Sequence, residues 1–312
     1  MTPQLANRLV LGYVLVSFAS LFLIIPLAGL LGAVKGALLA IQGLPFEDLA
    51  IEVKAWAGAV TGELFPLALA LAIGAFAYWL YTNYVRKYAH EIGWKNAPVT
   101  EVIKVAFVLL LFKIGFGYFS TGLFPRSYHE HIGLLKGLTA STAWGWVALF
   151  LFVVLLAPLV EEWLFRGLML RSYALRRGTH FALYAQALIF GLIHGKPMLI
   201  LNALFIGWIL GRVVLAGTSL KTAFWAHAAF NATSFIVIML LSTNPAAPVP
   251  KSPTTNVLFG LAIMLLVILV AARHWRPVHQ PPVERGPVTS GSLWAVLAYS
   301  LIALLAFQNS LS

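Results

Sequence analysis

The 312-residue sequence contains no cysteine, which excludes a disulfide framework, thiolate metal ligands and a cysteine nucleophile. Carboxylates are almost as scarce. There are ten Asp and Glu against 21 Lys and Arg, and charged residues make up 10% of the chain, where an ordinary soluble domain carries roughly a quarter. No polar stretch is long enough to form a soluble domain, so the net charge of +11 has no basic domain on which nucleic acid would bind. A lipid surface with anionic headgroups is the expected partner of that charge, because the basic residues lie mainly between apolar runs.

What the chain does have is apolar length. Hydrophobic residues are 61% of it, and runs of about 20 residues, enough to cross a hydrocarbon core as helix, recur from end to end. The expected fold class is all-α: a polytopic transmembrane helix bundle of about eight or nine spans. The candidate spans are 9–33, 57–85, 102–124, 143–170, 181–195, 198–215, 221–242, 256–273 and 292–308. The first run, Leu9 to Val34 after Arg8, is too long for a signal-peptide core and lacks a clear cleavage site, so it is expected to be retained. Alternate loops carry unequal charge. One side collects Arg8, Arg86, Lys87, Lys95, Arg171, Arg176, Arg177, Arg212, Lys221, Arg273, Arg276 and Arg285, twelve in all; the other collects Lys35, Lys54, Arg126, Lys136, Lys196 and Lys251, six in all. The positive-inside rule then puts the N-terminus and the Arg171–Arg177 segment in the cytoplasm. The expected location is a multi-pass integral membrane protein, in the plasma membrane if the host is prokaryotic. The Pro-rich and polar stretches 244–255 and 277–292 read as loops, and no internal repeat is visible.

Ionisable groups inside spans carry the information, since a charge in hydrocarbon costs at least about 2.5–3.5 kcal/mol and persists when paired or used. Glu63, Glu161, Glu162, His194 and His227 qualify, with Asn231 one turn beyond His227. Glu162 and Arg166 are four apart and so share a helix face and can pair, while Glu161 points about 100° away with no partner on its own helix. Glu161 is therefore the better candidate for chemistry. A turn near Gly178–Thr179 puts Glu161, 17 residues before Gly178, and His194, 16 after it, at equal depth on antiparallel helices. His227 and Asn231, four apart on one face, can reach the same region. Glu161 and His194 could hold and deprotonate a water. His227 and Asn231 could donate to the oxyanion formed when that water attacks a peptide carbonyl.

At this point three motifs stand in order on successive helices: EExxxR at Glu161, Glu162 and Arg166; FxxxH at Phe190 and His194; and HxxxN at His227 and Asn231. Together they resemble the type II CAAX prenyl endopeptidases and the bacterial CPBP or Abi proteins, including the lysostaphin-resistance protein A-like group. No motif position departs from the pattern. The resemblance covers about Ala143 to Ser242 and divides the chain into 1–142, helices of unassigned role; 143–242, catalytic core helices; and 243–312, C-terminal helices. It implies that Glu161 is the catalytic glutamate, that His194 helps it activate water and that His227 with Asn231 forms the oxyanion site, with Glu162, Arg166 and Phe190 in support. The implied activity is intramembrane endopeptidase action on a membrane-tethered or lipidated peptide or protein, of which a prenylated CAAX substrate is one form.

No cofactor is expected. Zinc held by Glu161, His194 and His227 is the alternative, but an asparagine beside them suits an oxyanion site better. HExxH is missing, although HEIGW at His90 and HEH at His129 come near it, and GxSG and GxGD are missing too, which disfavours the zincin, rhomboid-like and presenilin-like classes. A non-catalytic scaffold or bacteriocin-immunity protein and a membrane transporter are the competing classes; a transporter would be expected to show repeats and broken helices. Elsewhere, His129–Glu130–His131 reads as a solvated loop, Lys113 and Glu63 as an ion pair, and the glycine pairs Gly58/Gly62 and Gly207/Gly211 as sites of close helix approach.

Overall fold

A chain in hydrocarbon has no water to bond, so its N–H and C=O groups must close on one another, and a helix does this within a single segment. A computed structural model describes residues 2–124, 142–243, 253–279, 282–283 and 286–309, without the side chains of 21–23, 25, 57–59, 61–63, 241–243, 253 and 306–309. The described residues form helices and no strand. In chain order these are α1 (Pro3–Ile41), α2 (Phe46–Leu80, continued by a π-helical turn Tyr81–Val85), α3 (Val99–Leu123), the composite rod α4 (Ala143–Arg177), α5 (Thr179–Leu192), α6 (Pro197–Leu215), α7 (Leu220–Thr243), α8 (Pro253–His274) and α9 (Gly291–Asn309). Each expected span has its helix. Among the described residues six segments, on α2, α3, α4, α6, α7 and α8, are long and apolar enough to cross a membrane, and shorter apolar helices lie on α1, α5 and α9. The protein is an all-α membrane helix bundle.

Its surface is inverted relative to a water-soluble domain. Leu71, Phe107, Leu258 and Leu265 stand outward at 66%, 59%, 64% and 58% exposure, while Glu162, Arg166 and Gln186 are wholly enclosed. Contiguous apolar surface of this extent is tolerated facing lipid.

Close packing follows small residues. A methyl at Gly207 of α6 would meet Ala187 Cα of α5 at 3.1 Å, and one at Gly211 would meet Gln186 Nε2 at 2.6 Å. Gln186 Nε2 donates to the Gly207 carbonyl at 2.8 Å, a bond that only such close approach permits. The Gly207/Gly211 expectation therefore holds, whereas Gly58 and Gly62 lie outside the described side chains.

Segments assigned to the more basic side by counting Lys and Arg converge at one end of the bundle. Leu220 N–H donates to the Gly93 carbonyl at 2.9 Å and Lys95 Nζ to that of Gly217 at 3.1 Å. Val278 N–H reaches Leu215, Val283 N–H reaches Leu175, and Asn7 Nδ2 reaches the Val288 carbonyl at 2.8 Å.

Candidate active site

Rod α4 is built around two departures from α-helical winding. Residues Leu151–Leu156 and Glu162–Met169 are π-helical, the wider register in which an N–H reaches five residues back. Pro158 explains the consequence of the first. Ala157 N–H is given to the Phe152 carbonyl in the widened register. The next donor in line is residue 158, a proline with no N–H, so the Val153 carbonyl loses the partner that register would bring it. Asn231 of α7 supplies one, its Nδ2 donating to Val153 at 2.9 Å. The asparagine is thus positioned by a gap in the ladder of the helix opposite. Its amide has two N–H groups and this bond uses one.

The second π-helical stretch begins at the paired glutamates. Glu162 Oε1 accepts from Arg166 Nη1 at 2.9 Å, the i, i+4 pair expected from spacing, and both side chains are fully buried. The same oxygen lies 2.9 Å from His227 Nδ1. The Arg166 guanidinium stacks 4.3 Å from the centre of the Phe190 ring, which satisfies electrostatically a face that has no carboxylate. Phe190 in turn meets His194 edge-on at 5.0 Å and His227 at 6.1 Å, so it is the apolar spacer among the polar groups.

Glu161 turns the other way. Its Oε1 accepts from the hydroxyl of Tyr13, on α1, at 2.8 Å, and its Oε2 lies 3.8 Å from His227 Nε2. That gap is too long for a direct hydrogen bond. His227 therefore stands between two carboxylates, bonded to one and beside the other. Because Glu162 Oε1, when ionised, can only accept, His227 Nδ1 carries the hydrogen of that bond. His194 follows the same logic. It occupies the turn just after α5, where Gly195 takes φ 72°, and its Nδ1 sits 2.7 Å from the Phe190 carbonyl. A carbonyl accepts, so Nδ1 donates and Nε2 is left with a lone pair. His194 makes no hydrogen bond to Glu161, but it lies within electrostatic reach of Glu161, His227 and Arg166.

Residues 143–233 match a family described as type II CAAX prenyl endopeptidase Rce1-like. This segment is similar to that family. The resemblance carried by the three motifs is shown by this match, which takes in Glu161, Glu162, Arg166, Phe190, His194, His227 and Asn231 and stops short of the Ser242 boundary read from sequence. The Rce1-like segment is less than a third of the chain, and the family is one of proteases, which supports peptidase activity in general. No curated protein matches the chain, and no solved structure does.

Sequence reasoning missed Tyr13. It stands in an ordinary apolar run, 148 residues from the carboxylate it bonds, and nothing local distinguishes it. A second bond from α1 repeats the pattern, Tyr173 Oη donating to Asn7 Oδ1 at 2.7 Å. Lys113 has partners that sequence spacing did not suggest. Its ammonium donates to the Phe230 carbonyl at 2.9 Å, Thr233 Oγ1 at 2.6 Å and Ser234 Oγ at 2.5 Å, using all three protons on α7. The side chain of Glu63 and the whole of His129–Glu130–His131 lie outside the described residues.

Among the described residues no three His, Asp or Glu side chains are arranged as a metal-ligand set. In the zinc alternative, Glu161, His194 and His227 would be the ligands; His227 Nδ1 is taken up by Glu162 and His194 Nδ1 by the Phe190 carbonyl, which leaves Nε2 of each ring and Glu161 Oε2 as the available donors.

Proposed function

We propose that the chain is an intramembrane endopeptidase that hydrolyses a peptide bond in a membrane-tethered or lipidated substrate, with Glu161 as general base. The observation that supports this most directly is the asymmetry of the two carboxylates about His227: 2.9 Å and bonded at Glu162, 3.8 Å and unbonded at Glu161. One acid holds the imidazole. The other keeps an oxygen for the reaction.

In this reading a water lies against Glu161 Oε2 and the lone pair of His194 Nε2. Glu161 takes its proton as the water oxygen attacks the scissile carbonyl carbon, and the carbonyl π electrons move onto oxygen. The second N–H of Asn231 donates to that oxyanion, and His227, taken as the imidazolium between the carboxylates of Glu161 and Glu162, donates from Nε2 while Nδ1–H stays on Glu162. Glu161 then returns the proton to the amide nitrogen, and the C–N bond breaks. Tyr13 orients the carboxylate through Oε1. Arg166 balances the charge of Glu162, so the centre is not left with two uncompensated carboxylates in a dry interior. No step requires a metal. The expected location is the membrane, with the site approached from the more basic, cytoplasmic side, and the prenyl group is one candidate for the substrate's lipid.

The test is turnover by the purified protein in lipid nanodiscs on a farnesylated peptide ending in a CAAX sequence, with its unlipidated counterpart and a membrane-anchored peptide alongside. Cleavage of a lipidated or anchored peptide that vanishes in Glu161→Gln and persists in chelator supports the reading. Cleavage equal in Glu161→Gln and the unchanged protein rejects it.

A further inference from the structure

Where the basic loops converge, the bundle forms an open-mouthed cavity of about 800 Å³ that lies apart from the proposed active site. Its walls include Trp94, Lys95, Arg171, Leu175, Thr218 and Val278. We propose that this cavity binds the phosphate of an anionic membrane lipid, with Arg171 as its principal contact.

Arg171 carries the case. Arg166 has Glu162, and Arg212 donates to the carbonyls of Ala271 and Ala272, but among the described residues Arg171 pairs with no carboxylate, and its buried Nε, like that of Arg166, has no hydrogen-bond partner. A guanidinium is a planar fork matched to two phosphate oxygens, and one held without a partner is ready for such a ligand. Its seat is specific. Gly93 has φ 72°, which favours glycine, and a Cβ there would fall 2.7 Å from Arg171 Nη2, so the guanidinium lies against the chain where any side chain would push it aside.

The walls are fixed before any ligand arrives. Leu220 N–H bonds to the Gly93 carbonyl, the Ser219 hydroxyl bonds to the Lys95 carbonyl, and Lys95 Nζ donates to the Gly217 carbonyl. Two cations, Arg171 and Lys95, face the cavity against one carboxylate, Glu91, at its exposed rim beside His90.

A lipid fits better than free phosphate because the cavity is also apolar and leads outward. Leu175 and Val278 line it and are themselves 44% and 58% exposed, giving an acyl chain a path from the phosphate to the surrounding hydrocarbon. The basic end is where headgroups lie.

Native mass spectrometry and thermal unfolding of the full chain in neutral detergent, with phosphatidylglycerol, phosphatidylcholine or inorganic phosphate added, test this. Phosphatidylglycerol is expected to remain as a one-to-one adduct and raise the unfolding temperature, with phosphatidylcholine and millimolar phosphate doing neither. Arg171→Gln is expected to lower adduct occupancy at least about tenfold, since a phosphate fork bonded to one guanidinium is a charge-assisted pair. Gly93→Ala, which keeps every charge but displaces the guanidinium, should lower it too. Glu161→Gln should bind like the unchanged protein, which separates this site from the hydrolytic reading. Equal retention of both lipids, an adduct indifferent to both Arg171→Gln and Gly93→Ala in folded protein, or stabilisation by inorganic phosphate alone would each overturn the proposal.

Discussion

Glu161 and Glu162 are neighbours in sequence on adjoining faces of one rod, and their surroundings differ. Glu162 faces inward to Arg166 and His227 within the Rce1-like segment, in a region with no exposed atom on either member of the ion pair. Glu161 faces a boundary. One oxygen is held by Tyr13 from α1, outside the matched segment, and the other approaches His227 without bonding to it. A buried ion pair is costly to make and more costly to halve, so the Glu162 side reads as framework. A carboxylate with an oxygen to spare is suited to accept a proton.

That contrast can be broken by mutation. The largest effect is expected from Glu161→Gln, which should lower kcat on a cleavable lipidated peptide by about 10²–10⁴-fold, the usual contribution of a general base, while the unfolding temperature in detergent stays within a few degrees. Next is Arg166→Leu. It strands the buried carboxylate of Glu162, and the expected loss is about 3–5 kcal/mol of stability, read as a lower unfolding temperature and poor recovery of folded protein. If Arg166→Leu were as stable as the unchanged chain and only inactive, the framework role would pass to chemistry. Asn231→Ala should cost about 10²–10³-fold in kcat as an oxyanion donor, together with a smaller loss of stability from the orphaned Val153 carbonyl. Pairing it with Pro158→Ala sharpens the point, because an N–H restored at 158 can serve Val153 and should recover stability without recovering turnover. The smallest effect is expected from Tyr13→Phe, which removes one hydrogen bond to a charged group and should slow turnover by about tenfold. A rate unchanged in Tyr13→Phe would mean that α1 packs against the site without tuning it.

What could be seen in the sequence was what depends on near neighbours or on the membrane. Hydrocarbon thickness dictates span length, so helices near 99–123 and 197–215 were legible from apolar runs alone. Helical spacing exposed the Glu162–Arg166 pair, because four residues make one turn. Gly178, at φ 82°, turns α4 into α5 where the equal-arm count placed it. Distant partnerships were not legible. No local signal joins Tyr13 to Glu161 or Lys113 to Thr233 and Ser234, and an ion pair from Lys113 to Glu63 was the nearest guess that complementary charge could offer. The bond from Asn231 to Val153 was hidden for a subtler reason. It depends on a π-helical register, and apolar periodicity over 151–156 does not distinguish that register from the α-helical one.

The hydroxyl of Tyr13 ties the Glu161 carboxylate to α1, whereas His227 arrives later in the chain, on α7. A chain still being inserted thus carries its acid and its tyrosine together well before the imidazole that completes them. On the proposed function, a copy ending before α7 would lack both the imidazole and the amide and is expected not to hydrolyse a peptide.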